Sequence, residues 1–492
     1  MREHLYKFRL ASLFVGCLTT LAGSAILLSD HIPKALVADA APALIYKLAL
    51  RDIAPPEPVT PSGRSIIADL DAMELLLVED GKEVDRMSIA SRGRVGTAWE
   101  TPTGTYDVKV KETEHFSSIG GVWMPWSMQF YGNFFIHGWP THTDGTEVPE
   151  GYSGGCIRLR TPDAKRVYEF ARKGTPVIIR GAPATPAEPY KFHYYLRGGG
   201  PIPNVAAGAL LVADMKNGNV LWERNASSSV PLGKASVLMT GLTALETVNQ
   251  YKNVRMSELL IGKGVLRKHK TDAPDELPIG ALIYPLIFSA NETAALAFAR
   301  EHGTREFVAR MNEKAKAIGM QETHFVDPGP SRENTGSAHD LYAFLRAVDD
   351  RKRFLLDVSL APEEVLVDKD GNKRFNWTNE NPWVKGGDVR YRGGLLASST
   401  GGGGVFVGIM SLPVGEFSER DIAIVLLDDP DPQVSVQKVR SFITEHFYWG
   451  PEQEEVFVPE EDDSVYSTLR DLLNIGELKR GLYDAAVRAA ML

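Results

Sequence analysis

Cysteine is scarce in this chain of 492 residues: only Cys17 and Cys156 occur, and the first lies in an apolar run. A structural disulfide is therefore not expected, and the cysteine of the soluble part is free to react. Basic charge is also short. With 54 Lys and Arg against 63 Asp and Glu, the formal net charge is -9, which argues against nucleic acid as a partner, because binding a polyanion relies on clustered cations. A metal-ligand pattern is missing too. His137, His142, Asp144 and Cys156 are irregularly spaced and lack a second cysteine, so zinc is not expected, and no organic cofactor is indicated. Gly401 to Gly404 read as a tight strand turn, and nothing around them forms a phosphate loop.

One stretch carries chemistry. It runs from Phe135-Ile136-His137-Gly138-Trp139 to Tyr152-Ser153-Gly154-Gly155-Cys156-Ile157-Arg158-Leu159, with a loop rich in Thr, Asp, Gly and Pro between. A cysteine is a strong nucleophile only as its thiolate, so it wants a nearby base, which a folded loop brings from a distance in sequence. Glycines beside the cysteine let backbone N–H groups approach a substrate carbonyl, as an oxyanion hole requires. On residues alone this is a Cys/His acyl-transfer site.

These residues also resemble a family signature. His-Gly-x, a variable loop, then Ser-x-Gly-Cys-hydrophobic-Arg is similar to the L,D-transpeptidase (YkuD-like) catalytic domain. The likeness extends upstream through Thr101-Pro102-Thr103-Gly104-Thr105-Tyr106 and through Met124-Pro125-Trp126-Ser127-Met128-Gln129-Phe130. Gly154 stands where many members carry histidine. The resemblance implies Cys156 as nucleophile, His137 as base oriented by a backbone carbonyl, and catalytic roles for Gly155 and Arg158. Ser153, Gly138, Trp126, Met128 and Phe130 are the implied substrate contacts; core or pocket wall is the simpler reading for Trp123, Trp126 and Phe130. Its implied partner is a peptidoglycan stem peptide. His137 would take the thiol proton before substrate arrives or with it. The thiolate would displace D-alanine from the third stem residue, and an amine from a second stem would resolve the thioester. Hydrolysis by an L,D-carboxypeptidase or amidase is the alternative outcome, and a non-catalytic wall-binding scaffold is the alternative role.

The chain is expected to be multidomain. Residues 1–30 read as a membrane anchor or signal: Arg2, Lys7 and Arg9 precede the uncharged run Leu10 to Ser29, which is long enough to span a bilayer and is oriented with the remainder outside the cytoplasm. Cleavage near Val37-Ala38-Asp39-Ala40 is the rival. A bacterial envelope protein follows, inner-membrane anchored with its catalytic part in the periplasm, or secreted there. Residues 31–62 read as a linker. Residues 63–182 read as the mostly-β L,D-transpeptidase catalytic domain, with runs such as Glu74-Leu75-Leu76-Leu77-Val78 before a Glu79-Asp80-Gly81-Lys82 turn. A linker, 183–206, leads to an α/β domain at 207–450, with strands at both ends and helices between. An acidic stretch and helical tail occupy 451–492.

The second domain resembles the penicillin-binding serine D-Ala-D-Ala carboxypeptidases. Phe307 to Asp327-Pro328, Ser337-Ala338-His339-Asp340-Leu341 and Phe288-Ser289-Ala290-Asn291-Glu292 carry the likeness. That family needs Ser-x-x-Lys opening a helix. Here the aligned residues are Lys234-Ala235-Ser236-Val237, and the Lys-Thr-Gly strand has become Gly394-Leu395-Leu396-Ala397. Only Ser289 and Asn291 survive, as a helix cap and buried hydrogen bond in the plainer reading. Ser435 and Lys438 fit Ser-x-x-Lys but fall in the expected last helix. The domain is expected to be a catalytically inactive relative.

Overall fold

The computed structural model describes residues 51–52, 63–181, 192–196, 201–255, 276–367, 373–398, 403–414 and 419–451. The expected membrane segment, Cys17 and the acidic stretch and tail beyond residue 451 lie outside these residues, as does most of the expected linkers. Among the described residues no helix is long and apolar enough to cross a membrane.

Residues 63–181 are mostly β. The strands are β1 (Arg64–Asp69), β2 (Glu74–Glu79), β3 (Lys82–Ser88), β4 (Gly104–Asp107), β5 (Val110–Ser117), β6 (Val122–Tyr131), β7 (Phe134–His137), β8 (Thr141–His142), β9 (Ile157–Arg158) and β10 (Pro176–Arg180), with helix α1 (Thr161–Phe170) between the last two. They form one sheet in the order β3-β2-β1-β10-β4 and another in the order β9-β7-β6-β5, with β8 on β6. Alternation explains the packing: Ile66 and Ala68 on β1, Leu75 and Leu77 on β2, and Ile136 on β7 all enter one core. Edge strand β3 is charged along most of its length and buries only Met87, which protects an unpaired edge. Helix α1 has Pro in its first turn, where a missing N–H costs nothing, and closes the core with Ala164 and Val167.

The α/β part has a six-stranded sheet in the spatial order Arg51–Asp52, Asn219–Arg224, Ala209–Asp214, Glu419–Asp429, Gly404–Pro413 and Tyr391–Ala397. Most of its helices come between the two groups of strands in sequence, including α2 (Ser236–Thr247) and α3 (Ala338–Arg351), and a further helix, Pro432–His446, follows the last strand. One feature departs from expectation. Arg51 and Asp52, inside the expected tether, pair antiparallel with Val220 and Asn219 and extend this sheet. Backbone pairing needs no particular side chain there, so the sequence gives little sign of it.

Among the described residues, packing separates a small unit, residues 192–195 with 449–451, from a larger one that holds the rest. In the smaller unit the Tyr194 and Trp449 rings lie 4.7 Å apart. The larger unit contains both the mostly-β and the α/β part, and a buried ionic cluster lies where they meet. Lys314 Nζ is 3.0 Å from Glu246 Oε1 and donates to the Tyr106 hydroxyl at 2.9 Å. Lys352 Nζ is 4.0 Å from the same carboxylate oxygen. All three charged side chains are almost wholly buried.

Removing one partner from such a cluster leaves uncompensated charge out of water. Glu246→Ala is therefore expected to lower the unfolding free energy by about 3–5 kcal/mol in urea titrations. Glu169→Ala, which removes only the exposed contact with Lys165, is expected to cost at most about 1 kcal/mol.

Candidate active site

His137 ends β7 and Cys156 immediately precedes β9. These two strands run parallel, with Ile157 beside Ile136 and Arg158 beside His137, and Leu159 N–H donates to the His137 carbonyl at 2.9 Å. Ile136, Ile157 and Leu159 point into the main core. By alternation, His137, Cys156 and Arg158 share the opposite face. There Cys156 packs beside a small apolar cluster of Val122, Met124 and Phe135, and its thiol donates to the Asn133 carbonyl at 3.7 Å.

The imidazole is held by its own neighbour. His137 Nδ1 lies 2.6 Å from the Gly138 carbonyl, and since a carbonyl only accepts, Nδ1 carries the proton and Nε2 is left as the base. Gly138 is fixed in turn: its N–H donates to the Pro125 carbonyl at 2.8 Å. An added Cβ at Gly138 would meet Pro125 Cγ at 3.0 Å. This supplies the orienting carbonyl. Burial lowers the His137 pKa to about 4, against the opposing effect of the Gly138 hydrogen bond. It raises the Cys156 thiol to about 11, although the Phe135 backbone and the Arg158 charge favour the thiolate. Near neutral pH the resting pair is consequently a neutral thiol and a neutral imidazole.

Gly155 is the tightest point of the loop. Its φ is +106°, and a Cβ built on it would lie 2.2 Å from Phe134 Cε1 and 3.2 Å from the Trp99 carbonyl oxygen. Only glycine suits that backbone. Its N–H already donates to Ser153 Oγ at 3.1 Å, while Ser153 Oγ donates to the Cys156 carbonyl at 2.5 Å. Ser153, buried, thus closes the nucleophile loop on itself. Gly154 differs, with open space where a Cβ would be, so a larger residue fits there.

Three other expected substrate contacts face elsewhere. Met128 and Phe130 are fully buried in the main core, and Trp126 packs on Tyr168 of α1 with ring centroids 5.4 Å apart. The cause is local. Trp126 has a left-handed φ of +54°, which interrupts the alternation of β6, so Met124 faces Cys156 while Met128 faces the core. Gly138 acts on His137 through its carbonyl and has no side chain to offer.

Arg158 stands beside the thiol, half-buried, with its guanidinium 5.8 Å from the Trp139 ring centroid. Among the described residues its buried Nε has no hydrogen-bond partner. Trp139 also lines a groove of about 1180 Å³ with Arg92, Tyr152 and Arg160. His142 and Asp144 are not drawn to Cys156; Asp144 instead binds Thr146 through its N–H at 2.9 Å and its hydroxyl at 2.7 Å. Residues not anticipated from sequence are Asn133, Phe134 and Trp99, whose roles here are a carbonyl, a ring edge and a second carbonyl. None belongs to a residue type that marks a site.

In the α/β part the motif positions are occupied structurally. Lys234 Nζ donates to the Ser398 carbonyl, and Ser236 Oγ donates to Gly233 O at 2.7 Å. Val237 and Leu395 are core. Ser289 Oγ donates to Pro285 O at 3.0 Å, while Asn291 Oδ1 caps a helix by accepting from Ala294 N–H at 2.9 Å. Ser435 is buried, and Lys438 Nζ donates to Asn204 O at 2.9 Å.

Comparison with known proteins places two families in tandem. The L,D-transpeptidase catalytic domain matches residues 63–179, and the D-alanyl-D-alanine carboxypeptidase family matches residues 200–394. A D-alanyl-D-alanine endopeptidase of Pseudomonas aeruginosa is 29% identical over 184 residues, covering 36% of this chain and 58% of that protein. A crystal structure of a D-alanyl-D-alanine carboxypeptidase from Mycobacterium tuberculosis is 20% identical with a TM-score of 0.42, covering 50% of this chain and 94% of the other. That of an L,D-transpeptidase from Stackebrandtia nassauensis is 30% identical with a TM-score of 0.22, covering 25% and 57%. The chain spans about half the length of the curated relatives it matches.

The neutral resting pair has a measurable consequence. Alkylation of Cys156 by iodoacetamide is expected to be slow at pH 7 and to rise about tenfold per pH unit toward pH 10, because the thiolate fraction does. A rate already level from pH 6 upward would mean a preformed thiolate.

Proposed function

We propose that this chain, which carries an L,D-transpeptidase catalytic domain followed by a domain of the D-alanyl-D-alanine carboxypeptidase family, is a peptidoglycan L,D-transpeptidase working through Cys156. The observation that carries this is the strand pair that puts Cys156 and His137 on one face, with the Gly138 carbonyl committing the imidazole to the tautomer a base requires.

Because thiol and imidazole are both neutral at rest, proton transfer accompanies attack. His137 Nε2 takes the Cys156 proton as sulfur bonds to the carbonyl carbon of the third stem residue. The amide bond to D-alanine then breaks, its nitrogen receiving that proton, and a thioester remains on Cys156. An acceptor amine attacks the thioester carbonyl and loses a proton to His137; the C–S bond breaks, His137 returns the proton to the Cys156 sulfur, and the new amide leaves as the cross-linked product. Since Gly155 N–H is committed to Ser153, we assign charge stabilisation to Arg158, whose charge favours the thiolate and whose Nε has no hydrogen-bond partner among the described residues. The groove of about 1180 Å³ lined by Trp139 and Tyr152, which Cys156 and His137 do not line, is assigned to the stem in this reading.

The α/β domain, lacking a serine paired with lysine at its motif positions, is inactive as a peptidase in this reading. The protein acts outside the cytoplasm in the cell envelope, and the run Leu10 to Ser29 anchors it to the membrane.

Mass spectrometry of products from tetrapeptide-stem muropeptides tests the reading. Dimers joined through third residues are expected from wild type, with a loss of at least about a thousandfold in Cys156→Ala. Tripeptide products alone would make the enzyme a hydrolase, and equal products from both proteins would remove Cys156 from the chemistry.

A further inference from the structure

We infer that Lys352, which belongs to the carboxypeptidase-like half of the chain, is a positioning residue for the Cys156 nucleophile, so that this half completes the acyl-transfer site. The inference rests on the function proposed above, and it assigns the second domain a role in the site itself.

It begins at Gly155. With Phe134 and the Trp99 carbonyl filling the space where its Cβ would be, the backbone leading into Cys156 can only lie where those two groups leave room. Lys352 holds both. Its Nζ donates to the Ala98 carbonyl at 3.1 Å and to the Glu100 carbonyl, the groups on either side of Trp99. The same Nζ lies 5.6 Å from the Phe134 ring centroid, within reach of a cation–π attraction. One ammonium thus fixes the two surfaces against which Gly155 is wedged.

A second tether reaches the nucleophile by another route. Asn133, whose carbonyl accepts the Cys156 thiol, donates its side-chain amide to the Thr247 carbonyl at 3.0 Å. Thr247 ends α2 next to Glu246, whose carboxylate lies 4.0 Å from Lys352 Nζ. The Trp99 ring also stacks on Tyr251, with centroids 5.9 Å apart. Helix α2 and the end of α3 therefore grip the loop from behind.

Interface adhesion alone does not account for Lys352. Lys314 already pairs with Glu246 at 3.0 Å, so the carboxylate has a partner without it. Lys352 directs its hydrogen bonds to neutral carbonyls instead, at a desolvation cost that lowers its pKa to about 8. Buried charge used on a backbone turn behind a nucleophile is what preorganisation of a site requires. Lys314 is the natural control: equally buried and in the same cluster, it contacts Tyr106 and Thr103 and not the groups around Gly155.

The test uses the full chain with Lys352→Met, Lys352→Arg and Lys314→Met. Two rates are read: alkylation of Cys156 by iodoacetamide, which needs no substrate, and acyl transfer from a tetrapeptide stem, resolved into kcat and KM. A loosened loop hydrates the thiol, so Lys352→Met is expected to raise alkylation about tenfold while lowering kcat by about tenfold or more with KM nearly unchanged. Lys352→Arg is expected to recover most of both. Lys314→Met is expected to lower the folding midpoint yet keep both rates within about twofold. Should Lys352→Met not fold, the triple variant Lys352→Met, Lys314→Met and Glu246→Gln, which leaves none of the three buried groups charged, replaces it with the same expectations, read against Lys314→Met with Glu246→Gln. The inference is overturned if the two lysine variants change both rates alike, in step with their folding midpoints, or if neither rate moves. Absence of acyl transfer in wild type would defeat the proposed function, and alkylation would still decide the role of Lys352.

Discussion

The backbone of Gly155 lies edge-on against the ring of Phe134, closer than any side chain would allow, and the geometry of the site follows from that approach. It forces a positive φ, which turns the chain so that Cys156 emerges on the face shared with His137. It also makes the loop depend on whatever fixes Phe134. The ring is packed with Phe130 and the main core and has the Lys352 ammonium over it. The nucleophile is therefore positioned by two parts of the chain far apart in sequence, and the buried cluster of Glu246, Lys314 and Lys352 joins them.

The electrostatics of the site contrast with those of its support. Behind the loop, charges are buried and paired, as they must be out of water. At the loop, burial keeps both reacting groups neutral, with the proton on sulfur until a substrate arrives. A thiol held that way is slow to oxidise, which suits the exported location proposed here. Arg158 is a cation whose charge favours the thiolate, and its Nε, without a hydrogen-bond partner among the described residues, leaves it available to negative charge arriving or forming there.

Much of this was legible in sequence wherever information is local. The strand runs of residues 64–88, the His137 and Cys156 strings and the altered Lys234 to Val237 segment can each be read within a few residues. Met128 and Phe130, substrate contacts by resemblance alone, lie in the core because the left-handed backbone of Trp126, which no residue type announces, breaks the alternation of the strand. Ser153 and Gly138 bond to the loop and to the imidazole, contacts a sequence does not announce, since turns satisfy their own hydrogen bonds first. The contacts of Lys352 with Ala98 and Glu100 span more than half the chain, and nothing in a helix-ending lysine points to carbonyls so distant. The pairing of Arg51 and Asp52 was hidden for a similar reason: it rests on backbone atoms.

The central claim is that Cys156, and no serine of the second domain, carries the acyl group. Intact-protein mass spectrometry of the full chain, quenched in acid during turnover of a tetrapeptide stem and followed by peptide mapping, addresses it directly. The expected result is a mass increase equal to the stem without its terminal D-alanine, located on Cys156 and removed by hydroxylamine as a thioester is. An adduct on a serine within residues 201–448, or turnover with Cys156 unmodified throughout, would contradict it.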